Sequence, residues 1–376
     1  MSPTATRRLL AVHRISGLIV SLNLFVLALT GVVLVFHDEI DAALGVVPEA
    51  QHAVAKPELA RLVAAARVAQ PGRFPVYVSQ QPEEAPGVIY VGMADQTRSF
   101  ESAIPIALEG ATARPLAQLD FDKTFTGWML KLHAQLFLGP IGELLVGVVG
   151  LALLLSLVTG AIIYGPMMKR FVFGLLRRDR QRRTFYADLH KLVGAATFGW
   201  TLAVTVTGIL LSLGSILLQV YATTELAALS APYAKDAPVE DLGTIDAAVA
   251  SAEDGQPGRH WSFIALPGSE LSSPRHYTVL LGGESGLDKR MLTLAIVDAK
   301  DPRDALHRQM PWYLRAVLVS EPLHFGDYGG LALKVVWAIF GFALLGLAVT
   351  GVYVNLATRK SGVRKRVQPL DAEVAS

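Results

Sequence analysis

Four long apolar runs punctuate the 376-residue chain, roughly Ile15–Phe36, Leu136–Tyr164, Leu192–Leu218 and Leu331–Leu356. Each exceeds the ~20 residues a helix needs to cross a hydrocarbon core, so the pattern predicts four transmembrane helices. The first run ends in the acidic "HDEID" with no small-residue cleavage site before it, which marks an uncleaved span rather than a signal peptide. Between the runs the period changes. "KPELARLVAAARVAQPG" reads as an amphipathic helix stopped at Pro71-Gly72, and "FPVYVSQ", "GVIYVGMA" and "FESAIPIAL" follow as strands between Pro, Gly and charged turns. The second long segment repeats the order with "TIDAAVASAEDGQPG", "HWSFIALP", "HYTVLLGG" and "RMLTLAIVD". A helix and a few antiparallel strands per segment predict two small α+β modules.

The spans themselves repeat. "HRISGLIVSLNLFVLALTG", 13–31, aligns without a gap with "HKLVGAATFGWTLAVTVTG", 190–208. "HAQLFLGPIGELLVGVVGLALLLSLVTG", 133–160, aligns likewise with "HFGDYGGLALKVVWAIFGFALLGLAVTG", 324–351. The chain is therefore read as two copies of a two-helix unit, forming a four-helix transmembrane bundle that carries the two modules. The expected organisation is a terminus and span over 1–36, a module over 37–132, a span over 133–165, a basic loop over 166–187, a span over 188–218, a module over 219–322, a span over 323–357 and a tail over 358–376.

Composition agrees: 52% of residues are hydrophobic and only 18% charged. Charge adds orientation. Arg7, Arg8 and Arg14 precede the first span, Lys169, Arg170, Arg177, Arg178, Arg180, Arg182 and Arg183 separate the second from the third, and Arg359, Lys360, Arg364, Lys365 and Arg366 follow the fourth. Positive residues stay inside, so both termini are expected on the cytoplasmic side and both modules outside. Basic charge beside a bilayer is a topology and lipid signal, and no nucleic-acid partner is expected. The absence of cysteine excludes disulfides, thiolate-bound iron–sulfur clusters, covalently attached haem and thiol catalysis.

With that topology His13 and His190 fall at the inner end and His133 and His324 at the outer end. Halves that run in the same direction relate by an axis along the membrane normal, which brings equivalent residues face to face at equal depth. One interfacial histidine is ordinarily a surface group. Four in matched pairs, with neither cysteine nor a carboxylate cluster beside them, point to two bis-histidine haems b. Gly31 lies eighteen residues after His13, five turns and roughly 27 Å on, so the two share a helix face; Gly208 repeats this with His190. A residue without a side chain would let a flat macrocycle lie against the backbone, although Thr-Gly also serves plain helix packing. His133 and Gly160 are out of phase by about half a turn, and a break near Pro140, or at Gly329-Gly330 in the other copy, would reset it. Glu143 and Lys334 match and are candidates for a pair. Lys334, Arg14 and Lys191 are candidates for holding haem propionates. His37, His52, His260, His276 and His307 have no counterpart in the repeat and read as structural or surface groups, His37 being the nearest to an exception. Trp128, Trp312 and Tyr313 are candidates for a rim through which electrons leave.

"HRISGLIVSLNLFVLALTGVVLVF", "DLHKLVGAATFGWTLAVTVTG" and "EPLHFGDYGGLALKVVWAIFGFALLGLAVTG", with the helix-then-strand loops, resemble the PepSY-associated transmembrane family over nearly the whole chain. "ALEGATARPL" departs from the Asp-x-x-Thr-Gly-Glu turn usual in that module. The resemblance implies an inner-membrane di-haem oxidoreductase that reduces a ferric siderophore or other ferric chelate in the periplasm, drawing on an unidentified donor. Two alternatives stand beside it: a cytochrome that serves a periplasmic protein, and a haem-free protein that binds or inhibits a partner through its modules.

Overall fold

The computed structural model describes residues 2–374 except 53, 55, 83–84, 169–174, 234, 285–287, 290 and 304; for 166–168 and 359–374 the description is of the backbone alone. Lys169 and Arg170 of the expected basic loop lie outside the described residues, as do the side chains of Arg359, Lys360, Arg364, Lys365 and Arg366. The chain divides into two units. One comprises 1–36, 129–213 and 323–376, the other 37–128 and 214–322.

The first unit holds four helices long and apolar enough to cross a membrane: Pro3–Leu34, Gly139–Gly165, Arg182–Leu211 and Asp327–Thr358. Helix α1 (Pro3–Leu34) starts where the Ser2 hydroxyl accepts from the Ala5 N–H and Pro3 pre-sets the first turn. It packs against α5 (Gly139–Met168) and α11 (Gly330–Val374), and α6 (Arg182–Leu211) packs against the same two. Small residues set the close approaches. A Cβ on Gly341 would stand 2.5 Å from Val32, and one on Gly150 2.7 Å from Ile209, at matching places in the two aligned copies. Leu24, Ala28, Leu153, Trp200, Leu344 and Ala348 fill the centre, one or more from each of these helices.

Two expected spans begin later than the sequence reading placed them. His133 is on α4 (Phe125–Gln135), which ends where Leu136 and Phe137 take positive φ of 49° and 59° and Gly139 follows at 58°. His324 is on α10 (Trp312–Phe325), ended by Gly326 at φ 73°, the single turn Asp327–Gly329 and Gly330 at 64°. Left-handed residues stop a helix. Both long helices are thus broken near the places where a change of phase was expected. The third span also differs, since α6 starts at Arg182 and ends at Leu211 rather than running over 188–218.

In the second unit eight strands form one antiparallel sheet: β1 (Phe74–Gln80), β2 (Val88–Ala94), β3 (Ile104–Glu109), β4 (Pro115–Gln118), β5 (His260–Ala265), β6 (His276–Gly282), β7 (Thr293–Asp298) and β8 (Ala305–Gln309). Their order is β4-β3-β2-β1-β5-β6-β7-β8. The two modules meet at β1 and β5, paired Tyr77 with Ala265, Val78 with Ile264 and Ser79 with Phe263. Helices α3 (Leu59–Ala69) and α9 (Ile245–Glu253) bury Leu62, Val63, Ile245 and Val249 against Val78, Val91, Ile264 and Val279. The Asp246 carboxylate of α9 accepts the Leu59 and Ala60 N–H groups, so one module caps the other's helix. Short helices α2 (His37–Ala43), α7 (Gly214–Tyr221) and α8 (Ala227–Ser230) complete the unit. "ALEGATARPL" becomes the β3–β4 hairpin. In it buried Glu109 accepts the Gln51 and His52 N–H groups and the Thr112 hydroxyl.

Candidate functional site

Each of the four aligned histidines sits against the Thr-Gly of a neighbouring helix. His13 lies beside Gly160, His133 beside Gly31, His190 beside Gly351 and His324 beside Gly208. A Cβ on any of these glycines would stand 3.0–3.2 Å from the imidazole Cε1. The glycines make room for an imidazole.

The adjoining threonine fixes the ring. Nδ1 stands 2.9 Å from Thr30 Oγ1 in His133, 3.0 Å from Thr350 Oγ1 in His190, 3.1 Å from Thr207 Oγ1 in His324 and 3.4 Å from Thr159 Oγ1 in His13. Each threonine hydroxyl is 2.7–2.8 Å from the carbonyl four residues back, those of Val26, Leu155, Ala203 and Gly346, where its one proton goes. It is left to accept from the ring. Nδ1 also meets the carbonyl three residues before each threonine: Ser156 at 2.9 Å for His13, and Leu27, Val204 and Leu347 for His133, His324 and His190. A carbonyl can only accept, so in all four rings Nδ1 carries the proton and Nε2 keeps a lone pair. That is the tautomer a metal-ligating histidine adopts when its other nitrogen donates to a backbone oxygen.

The two outer rings lie close together: His133 and His324 have centroids 6.1 Å apart at an interplanar angle of 68°. Two imidazoles bonded to one metal through Nε2 at about 2.0 Å each would have centroids roughly 6 Å apart. The outer pair matches that spacing, and the residues present fit a haem.

Arg14 Nη2 donates to Asn355 Oδ1 at 3.1 Å, and Lys191 pairs with Asp188 at 3.7 Å, a carboxylate also gripped by Arg177. Lys334 is buried and Glu143 accepts from Gln135. Trp128, Trp312 and Tyr313 belong to the sheet unit; the first two are exposed, and Tyr313 donates to Glu225. Within the same unit His37 pairs with Asp38 and His52 with Glu109, while His260 faces Glu253, His276 meets Ser273 and His307 meets the Ala252 carbonyl. The threonines were overlooked as histidine partners, although their unbroken recurrence before each glycine was the available signal.

Four apolar membrane-length helices with a separate antiparallel sheet unit define a membrane protein bearing PepSY-like modules. The chain belongs to the PepSY-associated TM region family, whose model matches residues 10–357. It is also similar to an uncharacterized protein of Pseudomonas aeruginosa, 26% identical over 264 residues. That match covers 64% of this chain and 66% of the relative, so the chain spans just under two thirds of the relative's length.

Proposed function

We infer that the protein carries electrons across the inner membrane through two haems b, one held by His13 and His190 and one by His133 and His324, and reduces a ferric siderophore or other ferric chelate in the periplasm. The observation that carries this reading is the outer pair: two seated imidazoles at 6.1 Å with both Nε2 lone pairs unspent. In this architecture two tandem two-helix repeats form one bundle about an axis along the membrane normal, with both termini inside and both modules outside.

When bound, haem iron supplies one-electron transfer. The chain does the rest. Thr30, Thr159, Thr207 and Thr350 hold the imidazoles in one tautomer, and the carbonyls beneath them raise the donor strength of Nε2. The glycines set the depth at which each ring sits. The apolar bundle keeps water from the pairs, and reduction of a bound chelate needs only a docking surface near the outer pair, with no covalent catalysis.

The test is spectroscopic. Purified protein should show a reducible b-type spectrum with two haems per chain, and once reduced without oxygen it should be reoxidised by ferric chelates alone. A colourless preparation overturns the haem assignment. A reduced protein inert to every chelate in the panel overturns the substrate class. Reporter fusions near Gly87 and Gly283 should both read periplasmic, and a cytoplasmic signal from either would overturn the topology.

A further inference from the structure

The inferred chemistry requires an electron source at the inner histidine pair, and one feature of the bundle is shaped to receive it. Between α1 and α11 runs a groove of about 280 Å³ lined by Ala11, Arg14, Ile15, Leu18, Ile19 and Asn355. Its volume is close to the lower end of small-molecule sites, roughly 300 Å³. Its wall is apolar, with Ile15 and Ile19 both more than 60% exposed on the helix surface. Its polar end is built. Asn355 is 92% buried, and its Oδ1 is held by Arg14 Nη2 at 3.1 Å. With Oδ1 engaged, the remaining capacity of that amide is its two N–H donors, and Arg14 has further donors of its own. Arg14 is also the residue next to His13.

At the equivalent positions of the repeat the lining residues differ. Aligned with Ala11, Leu18, Ile19 and Asn355 are Asp188, Ala195, Ala196 and Tyr164. There Lys191 is drawn to Asp188, which Arg177 also holds.

We propose that this groove binds an isoprenoid quinol, the membrane-borne reductant of the protein. The ring oxygens meet Arg14 and Asn355, the ring lies over Ile15 and Leu18, and the tail leaves along Ile19 into the bilayer. On oxidation the two O–H bonds of the quinol break, two electrons pass one at a time toward the His13–His190 site, and two protons go to water at the cytoplasmic face. Quinone remains, and two ferric ions of the chelate become ferrous. This inference rests on the function proposed above, so its test separates the two.

Wild type, Asn355→Leu and Arg14→Leu are placed in lipid nanodiscs beside Leu22→Ala, a control on the same helix outside the groove. Binding of decylubiquinone should weaken at least tenfold in the two groove variants and stay unchanged in the control. Decylubiquinol-driven haem reduction should fall at least tenfold in Asn355→Leu, while dithionite-reduced samples of that variant still give electrons to a ferric chelate at the wild-type rate. An azidoquinone on wild type should label the peptides containing 11–19 or 355. Equal binding in all four proteins, labelling elsewhere, or displacement of quinone by anionic phospholipid at equal concentration each overturns the groove assignment and leaves the haem reading intact. Quinone binding to a preparation without haem would uphold the groove and sink the haem reading.

Discussion

The nine histidines fall into two populations that share a side chain and little else. In the sheet unit the five bond to near neighbours at or close to the surface, and these contacts account for them: His37 with Asp38, His52 with Glu109, His276 with Ser273. In the membrane unit the four reach across to another helix and spend Nδ1 on a threonine and a carbonyl. A polar ring in an apolar bundle is costly and persists where it has a task. The difference is one of placement: five are held within the sheet unit, while four are held across helices of the bundle.

The comparison breaks most visibly if the populations are exchanged under mutation. His13→Ala, His133→Ala, His190→Ala or His324→Ala should each lower haem content by about half, since each removes an axial ligand of one site. His37→Ala, His52→Ala, His260→Ala, His276→Ala and His307→Ala should leave it unchanged. Haem lost from His37→Ala would erase the division at the outer site. Pyridine haemochrome spectra decide both.

Gly160→Val and Gly208→Val test the seats without touching a ligand. Any Cβ there meets Cε1 at 3.0 Å, so the valine's branches would push His13 or His324 out of register. Each should empty one site, and low-temperature electron paramagnetic resonance should show the loss of that site's signal alone.

A smaller effect is expected from Thr207→Val. The hydroxyl acceptor goes and the Val204 carbonyl stays, so both haems should remain while the outer potential shifts by the equivalent of a single hydrogen bond, about 1 kcal/mol. An unshifted potential in redox titration would mean that the threonine only packs.

On the sheet side the expected change concerns stability and spares haem. The Thr112 hydroxyl, then the His52 and Gln51 N–H groups, hold the Glu109 carboxyl down to about 2 against its burial. The folded value lies below the unfolded one of about 4.3, so the contribution is complete above that pH and is lost as pH falls toward 2. Glu109→Gln should lower the unfolding temperature near pH 6 and flatten its decline between pH 4.5 and 2. A melting curve as steep in acid as that of wild type would remove Glu109 from the account.

Much of this was legible in the sequence because the repeat left its punctuation intact. Four apolar runs gave four helices, and a gapless His to Thr-Gly spacing singled out the four histidines, two of which stand 6.1 Å apart. What escaped was anything decided between distant segments. That a histidine of one helix docks on the Thr-Gly of another depends on which helices touch. The stop after Gln135 uses Leu136 and Phe137 at positive φ, and neither residue type announces such a backbone. Arg14 was matched to Lys191 by alignment, yet Asn355, far along the chain, decides where Arg14 points. The β1–β5 pairing likewise lies outside any local pattern.

That pairing says something about ancestry. β1 and β5 are equivalent strands of their modules and run antiparallel, the arrangement that a twofold rotation produces when a strand pairs with its own copy. A single half of the chain would own one histidine of each facing pair and one unpaired inner edge strand, so it could complete neither alone. Its natural state would be a homodimer. The present polypeptide reads as that dimer with the join made permanent, which freed the two halves to diverge. They now differ where they meet: Asp188 stands in one at the place of Ala11 in the other, and Tyr164 at the place of Asn355.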